Sequence, residues 1–271
     1  MFRGIILLLV LNWLPAEFGF NRQGENWEYY IKAGNIAYDR GEYAETEILY
    51  RRSLEIAEKA FGPEHPNVAT ILNNLTVLYL KLGKYTEAEP LIQRSLAICE
   101  KAFGLEHPDV ARSLTNLAAI YRFQGKYTEA EPLFQRSLAI YEKEFGPNHP
   151  TIATIMNNLA RLYSDQGQYT EAKPFLIRAL AIREKVFKPD HPYVATSLHN
   201  IAVLYLKQGK HSEAEPLLQR ALAIREKALG LEHSDVATSL EILAELLNKT
   251  NREVEARGLQ ERANNIREKN E

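Results

Sequence analysis

A chain of 271 residues that is 45% hydrophobic and 10% aromatic is too apolar for a disordered polymer, so ordered packing is expected along most of its length. With 33 basic against 35 acidic residues, it lacks the overall positive field of a nucleic-acid binder, and any charge-driven recognition must be local. Its single cysteine, Cys99, excludes an internal disulfide and a thiolate zinc site.

In chain order, residues 1–24 come first. Gly4 to Leu14 is almost wholly apolar and follows a single Arg3, as in the start of a secretory signal, yet the run is too short to span a bilayer as a helix. Two readings stand side by side: an export or anchoring segment over residues 1–20, or an apolar cap or disordered leader on a cytosolic protein. The segment carries no a/d heptads.

From residue 25 onward the chain repeats. Gly41, Gly83, Gly125, Gly167 and Gly209 stand 42 residues apart, as do His65, His107, His149, His191 and His233. A fixed period of this length is the mark of a solenoid, whose units bury their apolar faces only against neighbours. Six units are expected, at about 25–66, 67–108, 109–150, 151–192, 193–234 and 235–271.

Within a unit, Asn67 to Leu82 and its equivalents place apolar residues at steps of three and four, as in Val68, Leu72, Leu75 and Leu78. That spacing predicts an inner helix with one buried stripe, ended by Gly83 in a left-handed conformation. Thr86-Glu87-Ala88-Glu89 then reads as a capping box, repeated at Thr128, Thr170 and Ser212. It opens an outer helix with Pro90 just inside and Leu91, Leu96 and Ile98 as its buried stripe. The connector Phe103-Gly104-Leu105-Glu106-His107-Pro108 ends the unit, proline forcing the preceding histidine out of the α region.

The histidine ladder is expected to bond local backbone rather than a metal. Equivalent atoms in successive units lie roughly 10 Å apart, whereas a metal needs ligands at about 2.1 Å. No nucleophile motif, HExxH helix, phosphate loop or CxxC pair is present, so neither catalysis nor a cofactor is expected.

The words Asn73-Asn74-Leu75, Gly83-Lys84-Tyr85-Thr86-Glu87-Ala88-Glu89-Pro90-Leu91, Arg220 to Lys227 and Phe103 to Pro108 resemble the tetratricopeptide repeat. More narrowly, they are similar to the 42-residue variety of kinesin light chains. The resemblance covers about Gly24 to Glu271 and implies an all-α, right-handed α-solenoid of about six helix pairs. It also implies a groove, lined by the inner helices, that receives extended peptides.

Asn74, Asn116, Asn158 and Asn200 form one polar column on the inner helices, and Asn73, Asn157 and His199 stand beside it. An amide both donates and accepts, so such a row can pair with an extended partner backbone, or alternatively bond from unit to unit. From Thr70 to Lys81 and at the equivalent positions of the four central inner helices, Lys81, Arg112, Arg122, Arg161 and Lys207 face Asp165 alone, a local basic excess suited to acidic peptides. By resemblance the partners are acidic cargo segments and a kinesin heavy chain. The implied role is a cytoplasmic, cytoskeleton-associated cargo adaptor that also modulates the motor's ATPase. The alternatives are an exported or membrane-tethered assembly scaffold, and a co-chaperone clamp, which would want lysine where Asn73 and Asn157 stand.

Overall fold

The computed structural model describes residues 26–270, so the two readings of residues 1–24 fall outside the described residues. Twelve helices occur among the described residues, and no strand. They are α1 (Trp27–Asp39), α2 (Tyr43–Phe61), α3 (Pro66–Lys81), α4 (Tyr85–Phe103), α5 (Pro108–Phe123) and α6 (Tyr127–Phe145). These are followed by α7 (Pro150–Asp165), α8 (Tyr169–Val186), α9 (Pro192–Lys207), α10 (His211–Leu229), α11 (Ser234–Lys249) and α12 (Glu253–Asn270). The fold is all-α, a solenoid of helix pairs with inner helices beginning at each proline or its equivalent. The chain divides into two compact units, one up to Ile71 and one from Leu72 onward, the division falling inside α3.

In the first unit, α1 packs against α2. Gly34 is buried where the Tyr50 ring crosses α1. The Tyr50 hydroxyl donates to Asn35 Oδ1 at 2.7 Å, and Ser53 Oγ donates to the Trp27 carbonyl at 2.8 Å. Trp27 meets Phe61 edge-on at 6.3 Å, so both ends of the hairpin are pinned.

In the second unit each helix from α4 to α12 packs against the next, and the inner helices also touch in series, α5 against α7 and α7 against α9. The seam is built from small and branched side chains. Ala88, Ala130, Ala172 and Ala214 are all fully buried, letting two helices approach closely. Ala202, Ala214, Leu218, Leu243, Leu247 and Ala256 form one cluster that crosses from α9 to α12. A unit cannot bury these faces alone, which is why the repeat must be stacked.

The predicted inner helices are found within one residue of their expected bounds. Each is capped by its histidine. His65, His107, His149, His191 and His233 each accept, through Nδ1, the backbone N–H two residues on, at 3.1–3.3 Å. His149 has the extended backbone (φ −68, ψ 139) that Pro150 imposes. Its ring also stacks on Phe145 at 4.7 Å. His149→Ala is expected to cost about 1 kcal/mol, while His149→Asn keeps the acceptor and loses much less. Urea denaturation midpoints compare the two, and equal losses would contradict the capping role.

The outer helices depart from expectation at their starts. They begin at Tyr85, Tyr127, Tyr169 and His211, with Lys84, Lys126, Gln168 and Lys210 at the N-cap and no side-chain capping bond. The capping box therefore does not form. Thr128 Oγ1 instead donates to its neighbour Glu129, as Ser212 Oγ does to Glu213. The reason lies in the backbone. Gly83, at φ +70, lets the Lys84 N–H return to the Tyr79 carbonyl at 2.9 Å, closing one helix and aiming the next within a single residue. Pro90 consequently sits deeper than expected, at the sixth residue of α4, where its missing N–H does remove one helical bond.

The buried stripe is also rotated. Ala88, Ile92, Ser95, Ile98 and Cys99 are buried, whereas Leu91 and Leu96 are half-buried. On the far side of the outer helices, arginines pair with glutamates one unit back: Arg136–Glu100, Arg178–Glu142, Arg220–Glu184 and Arg262–Glu226, at 2.5–2.9 Å. Exposed pairs of this kind are each worth at most about 1 kcal/mol, but they neutralise the outer surface.

Candidate functional site

The inner helices α5, α7 and α9 present the polar columns singled out in the sequence, and the structure assigns their members unequal roles. Asn73 and Asn157 are only 2% and 5% exposed, so they lie beneath the surface rather than on it. Asn73 Nδ2 donates to Ser95 Oγ at 2.5 Å and to Ser113 Oγ at 3.1 Å. Its Oδ1 accepts from Asn116 Nδ2 at 3.1 Å, and Asn157 Oδ1 accepts from Asn200 Nδ2 at 3.2 Å. Asn116 and Asn200 thus each spend a donor on the previous unit. Asn74 and Asn158 are half-buried and make no side-chain hydrogen bond among the described residues.

The basic residues differ just as much. Lys81 is exposed at the end of α3. Arg112 is tied to Asp109 of its own helix at 2.9 Å. Arg122 pairs with Asp165 across two inner helices at 2.5 Å while covering the Phe123 ring, and Lys207 reaches the same carboxylate at 3.7 Å. Arg161 enters no ion pair among the described residues and only brushes Asn200 Oδ1, at 3.5 Å. Atoms crowd its solvent-accessible guanidinium, so desolvation, with Arg122 nearby, lowers its pKa from the ordinary value. Two cations therefore share the Asp165 carboxylate, and Arg161 adds a third positive charge without an ion pair among the described residues.

Arg161, His199, Asn200 and Lys207 line a surface cavity of about 270 Å³, together with Ser164 and Asp165. Its apolar lining includes Leu176, Val203 and Ile242. His199 Nδ1 is buried without a hydrogen-bond partner. The cause is local: Ile242 occupies the place in α11 where each of the four preceding inner helices carries asparagine, so the unit-to-unit amide bond has no donor there. Burial, then Arg225 and Arg161, push the His199 pKa down to about 4 from 6.5.

That depression has a definite sign. Unfolded chains protonate this imidazole near pH 6.5 and the folded one only near pH 4, so its contribution is present above that window and lost as pH falls through it. Replacing His199 by Gln is expected to flatten the stability decline between these pH values by roughly 3 kcal/mol. Urea titrations of both chains across the window check this, and parallel curves would contradict it.

Sequence reasoning missed three participants. Arg183 and Arg225 lie 5% and 6% exposed, in the same repeat column as Cys99 and Tyr141. Arg183 Nη1 donates to the Tyr193 carbonyl and to Ser197 Oγ, and Arg225 Nη1 donates to the Asp235 carbonyl and to Ser239 Oγ. Burial lowers both pKa values. The available signal was the arrival of arginine where Ser197 and Ser239 stand in the next inner helix. This also explains why Asn157 Nδ2 is unpaired: Ala179 replaces the Ser95 of the earlier unit, and Ser197 is held by Arg183. The third is Ile242, where the asparagine column ends.

No group of three His, Cys, Asp or Glu side chains suited to a metal occurs among the described residues. No described helix is long and apolar enough to cross a membrane.

The family profile of the tetratricopeptide repeat matches residues 28–101, 77–143, 109–175, 151–227 and 201–269, nearly the whole described chain. No match is found among curated proteins. Among solved structures, the chain is similar to the nearly identical TPR-like repeats of a Podosopora anserina protein assigned as a kinesin light chain. That similarity is 32% identity over 76% of this chain and 97% of the other, with a TM-score of 0.61. BtubC (BKLC) from P. vanneervenii is 20% identical over 90% and 91% of the two chains, TM-score 0.64. A Rap protein complexed with competence and sporulation factor is 16% identical over 90% and 75%, TM-score 0.65.

Proposed function

Because the chain belongs to the tetratricopeptide repeat family, we propose that it is a non-catalytic adaptor whose inner-helix face holds an extended, acidic segment of a partner protein. The observation that carries this reading is the charge imbalance across α5, α7 and α9, where Arg122 and Lys207 share Asp165 and Arg161 has no ion-pair partner among the described residues, while the outer-helix arginines are neutralised in pairs. The Asn116 carbonyl oxygen supplies an acceptor for partner N–H groups, and Asn74 and Asn158 supply whole amides.

The specific reading is a kinesin-light-chain-like subunit that couples cargo to a microtubule motor heavy chain, modulates its ATPase and resides with the cytoskeleton in the cytoplasm. Its support is the 32% identical repeats assigned as a kinesin light chain, together with the sequence words that resemble that family. The neighbours at 20% and 16% identity share the fold alone. The apolar run Gly4 to Leu14 favours a second reading, an exported or membrane-tethered assembly scaffold. Mass spectrometry of the mature N-terminus separates the two, since retention of Met1 or Phe2 fits the adaptor and removal of the run fits export.

The direct test is fluorescence anisotropy of the full chain with a labelled peptide of alternating Glu and Gly, against its Lys counterpart. The acidic peptide is expected to bind, and more weakly as salt rises. Equal binding of both, or none, removes the acidic-segment reading. A pull-down with purified kinesin heavy-chain tail tests the motor assignment, which fails if no tail is retained.

A further inference from the structure

We infer that the chain carries a second contact surface for an acidic partner, on the edge where the outer helix α8 meets the turn between α9 and α10. Partner carboxylates take there the place that the chain's own glutamates fill at neighbouring junctions. The surface is separate from the inner-helix face and does not depend on the reading of that face.

The repeat defines what this edge lacks. At four successive junctions between one outer helix and the next turn, the same three positions recur 42 residues apart. They are Glu89, Lys126 and Glu129; Glu131, Gln168 and Glu171; Lys173, Lys210 and Glu213; and Glu215, Arg252 and Glu255. The third set alone is net positive, and the other three are net negative. In those three the first residue is a carboxylate that serves the neighbouring unit. Glu89 Oε2 accepts from Gln124 Nε2 at 2.9 Å and lies 3.5 Å from Lys126 Nζ. Glu131 Oε1 accepts from the Tyr163 hydroxyl at 2.6 Å, and Glu215 Oε1 accepts from Arg252 Nη1 at 2.7 Å.

Lys173 carries no acceptor, so the groups that a glutamate would satisfy are left over. Lys210 enters no ion pair among the described residues, and the Tyr205 hydroxyl, equivalent to that of Tyr163, makes no hydrogen bond among them. The Gln208 amide, equivalent to that of Gln124, is likewise unengaged, its Oε1 buried without a partner. Lys173 Nζ and Lys210 Nζ instead stand 5.4 Å and 6.0 Å from the centre of the one Tyr205 ring. Two like charges sharing a ring are relieved by an anion placed between them. Glu213 does not fill that role, since it accepts from its neighbour Ser212 Oγ at 2.8 Å and forms no ion pair among the described residues. A repeat rule broken at one junction, with no internal interaction gained in exchange, is the pattern of a functional position. The charge left there selects an acidic segment, and because the lysines are point donors it places few demands on that segment's sequence.

Zero-length carbodiimide coupling reads this surface directly, because it joins a carboxylate to a lysine amine only where the two meet. The probe is the peptide of alternating Glu and Gly with an amidated end, coupled to the full chain and mapped by mass spectrometry of the digest. Lys173 and Lys210 are expected to carry about tenfold more adduct than Lys185, an exposed lysine with no ion pair among the described residues. Lys173→Glu supplies from within the carboxylate that the other junctions have, and should remove the excess at Lys210. Circular dichroism checks that the variant is folded. If it is not, Lys173→Gln must lower the Lys210 adduct at smaller amplitude. The inference is overturned if neither lysine exceeds Lys185, or if the Lys210 adduct is indifferent to the change at Lys173. Lys207 reports the inner-helix face in the same digest. Excess adduct at Lys207 alone leaves the inner-face reading standing and removes this surface, whereas excess at Lys173 and Lys210 alone does the reverse.

Discussion

Phe134→Ala is expected to lower the stability of the chain by about 3–5 kcal/mol. Phe134 is the largest fully buried side chain among the described residues, in the middle of α6, which packs against α5 and α7. Removing its ring forfeits apolar burial and leaves a space that the flanking helices close only in part, because each is also held by its other neighbour. Ile92, Leu176 and Leu218 stand at the same place in other units and are equally buried, so the site accepts branched aliphatics. Phe134→Leu should therefore recover most of the loss. Urea unfolding with constant slope measures both, and a Phe134→Ala chain as stable as its parent would show that the seam is misplaced. Leu117→Ala, on the facing helix α5, is expected to cost about 2–5 kcal/mol for the same reason.

Gly34→Ala is expected to destabilise the first unit, although alanine is ordinarily the better helix former by about 1 kcal/mol. A Cβ at Gly34 would stand 2.6 Å from Cδ1 and Cε1 of Tyr50. Tyr50 cannot swing aside freely, since its hydroxyl is held by Asn35 Oδ1 and its side chain is 4% exposed. Overpacking of this kind costs about 1–3 kcal/mol, enough to reverse the propensity gain. Gly258 is the matched control. It is also helical, in α12, and a Cβ there meets nothing within 4 Å, so Gly258→Ala should stabilise by about 0.5–1 kcal/mol. Opposite signs in thermal melts are the expected result, and two changes of the same sign would contradict the close approach of α1 and α2.

These cases show what the residues disclose on their own. Gly83 and Pro66 fix a helix end and a helix start by backbone geometry alone, so the inner-helix bounds were readable to within one residue. The chain also substitutes Asn251, at φ +60, where earlier units have glycine, the non-glycine type best able to adopt that conformation. The outer-helix start was misread because the Lys84 to Tyr79 bond that sets it uses only main-chain atoms, while Thr86 and Glu89 happen to spell a capping signature.

The site was legible by column and obscure by contact. Periodicity shows that Asn116 faces the same way as Asn200, yet it cannot show that Asn73 lies one layer deeper and takes the Asn116 donor. Charge counting found the basic excess but gave Arg112 and Arg161 equal weight. They differ because Asp109 lies three residues before Arg112, within helical reach, whereas Asp165 near Arg161 is drawn away by Arg122 from the neighbouring helix. The second fact depends on how α5 and α7 are aligned, and that alignment is a property of packing.

The measurement that bears most directly on the adaptor account is a nuclear magnetic resonance titration of the full chain with the Glu/Gly peptide, following the guanidinium, amide and imidazole side-chain signals. The account predicts saturable shifts at Arg161, Asn200 and His199, smaller ones at Asn116 and Asn158, and none at Arg178 or Arg220 on the outer helices. Shifts led by the outer-helix arginines, with Arg161 and His199 unmoved, would contradict it.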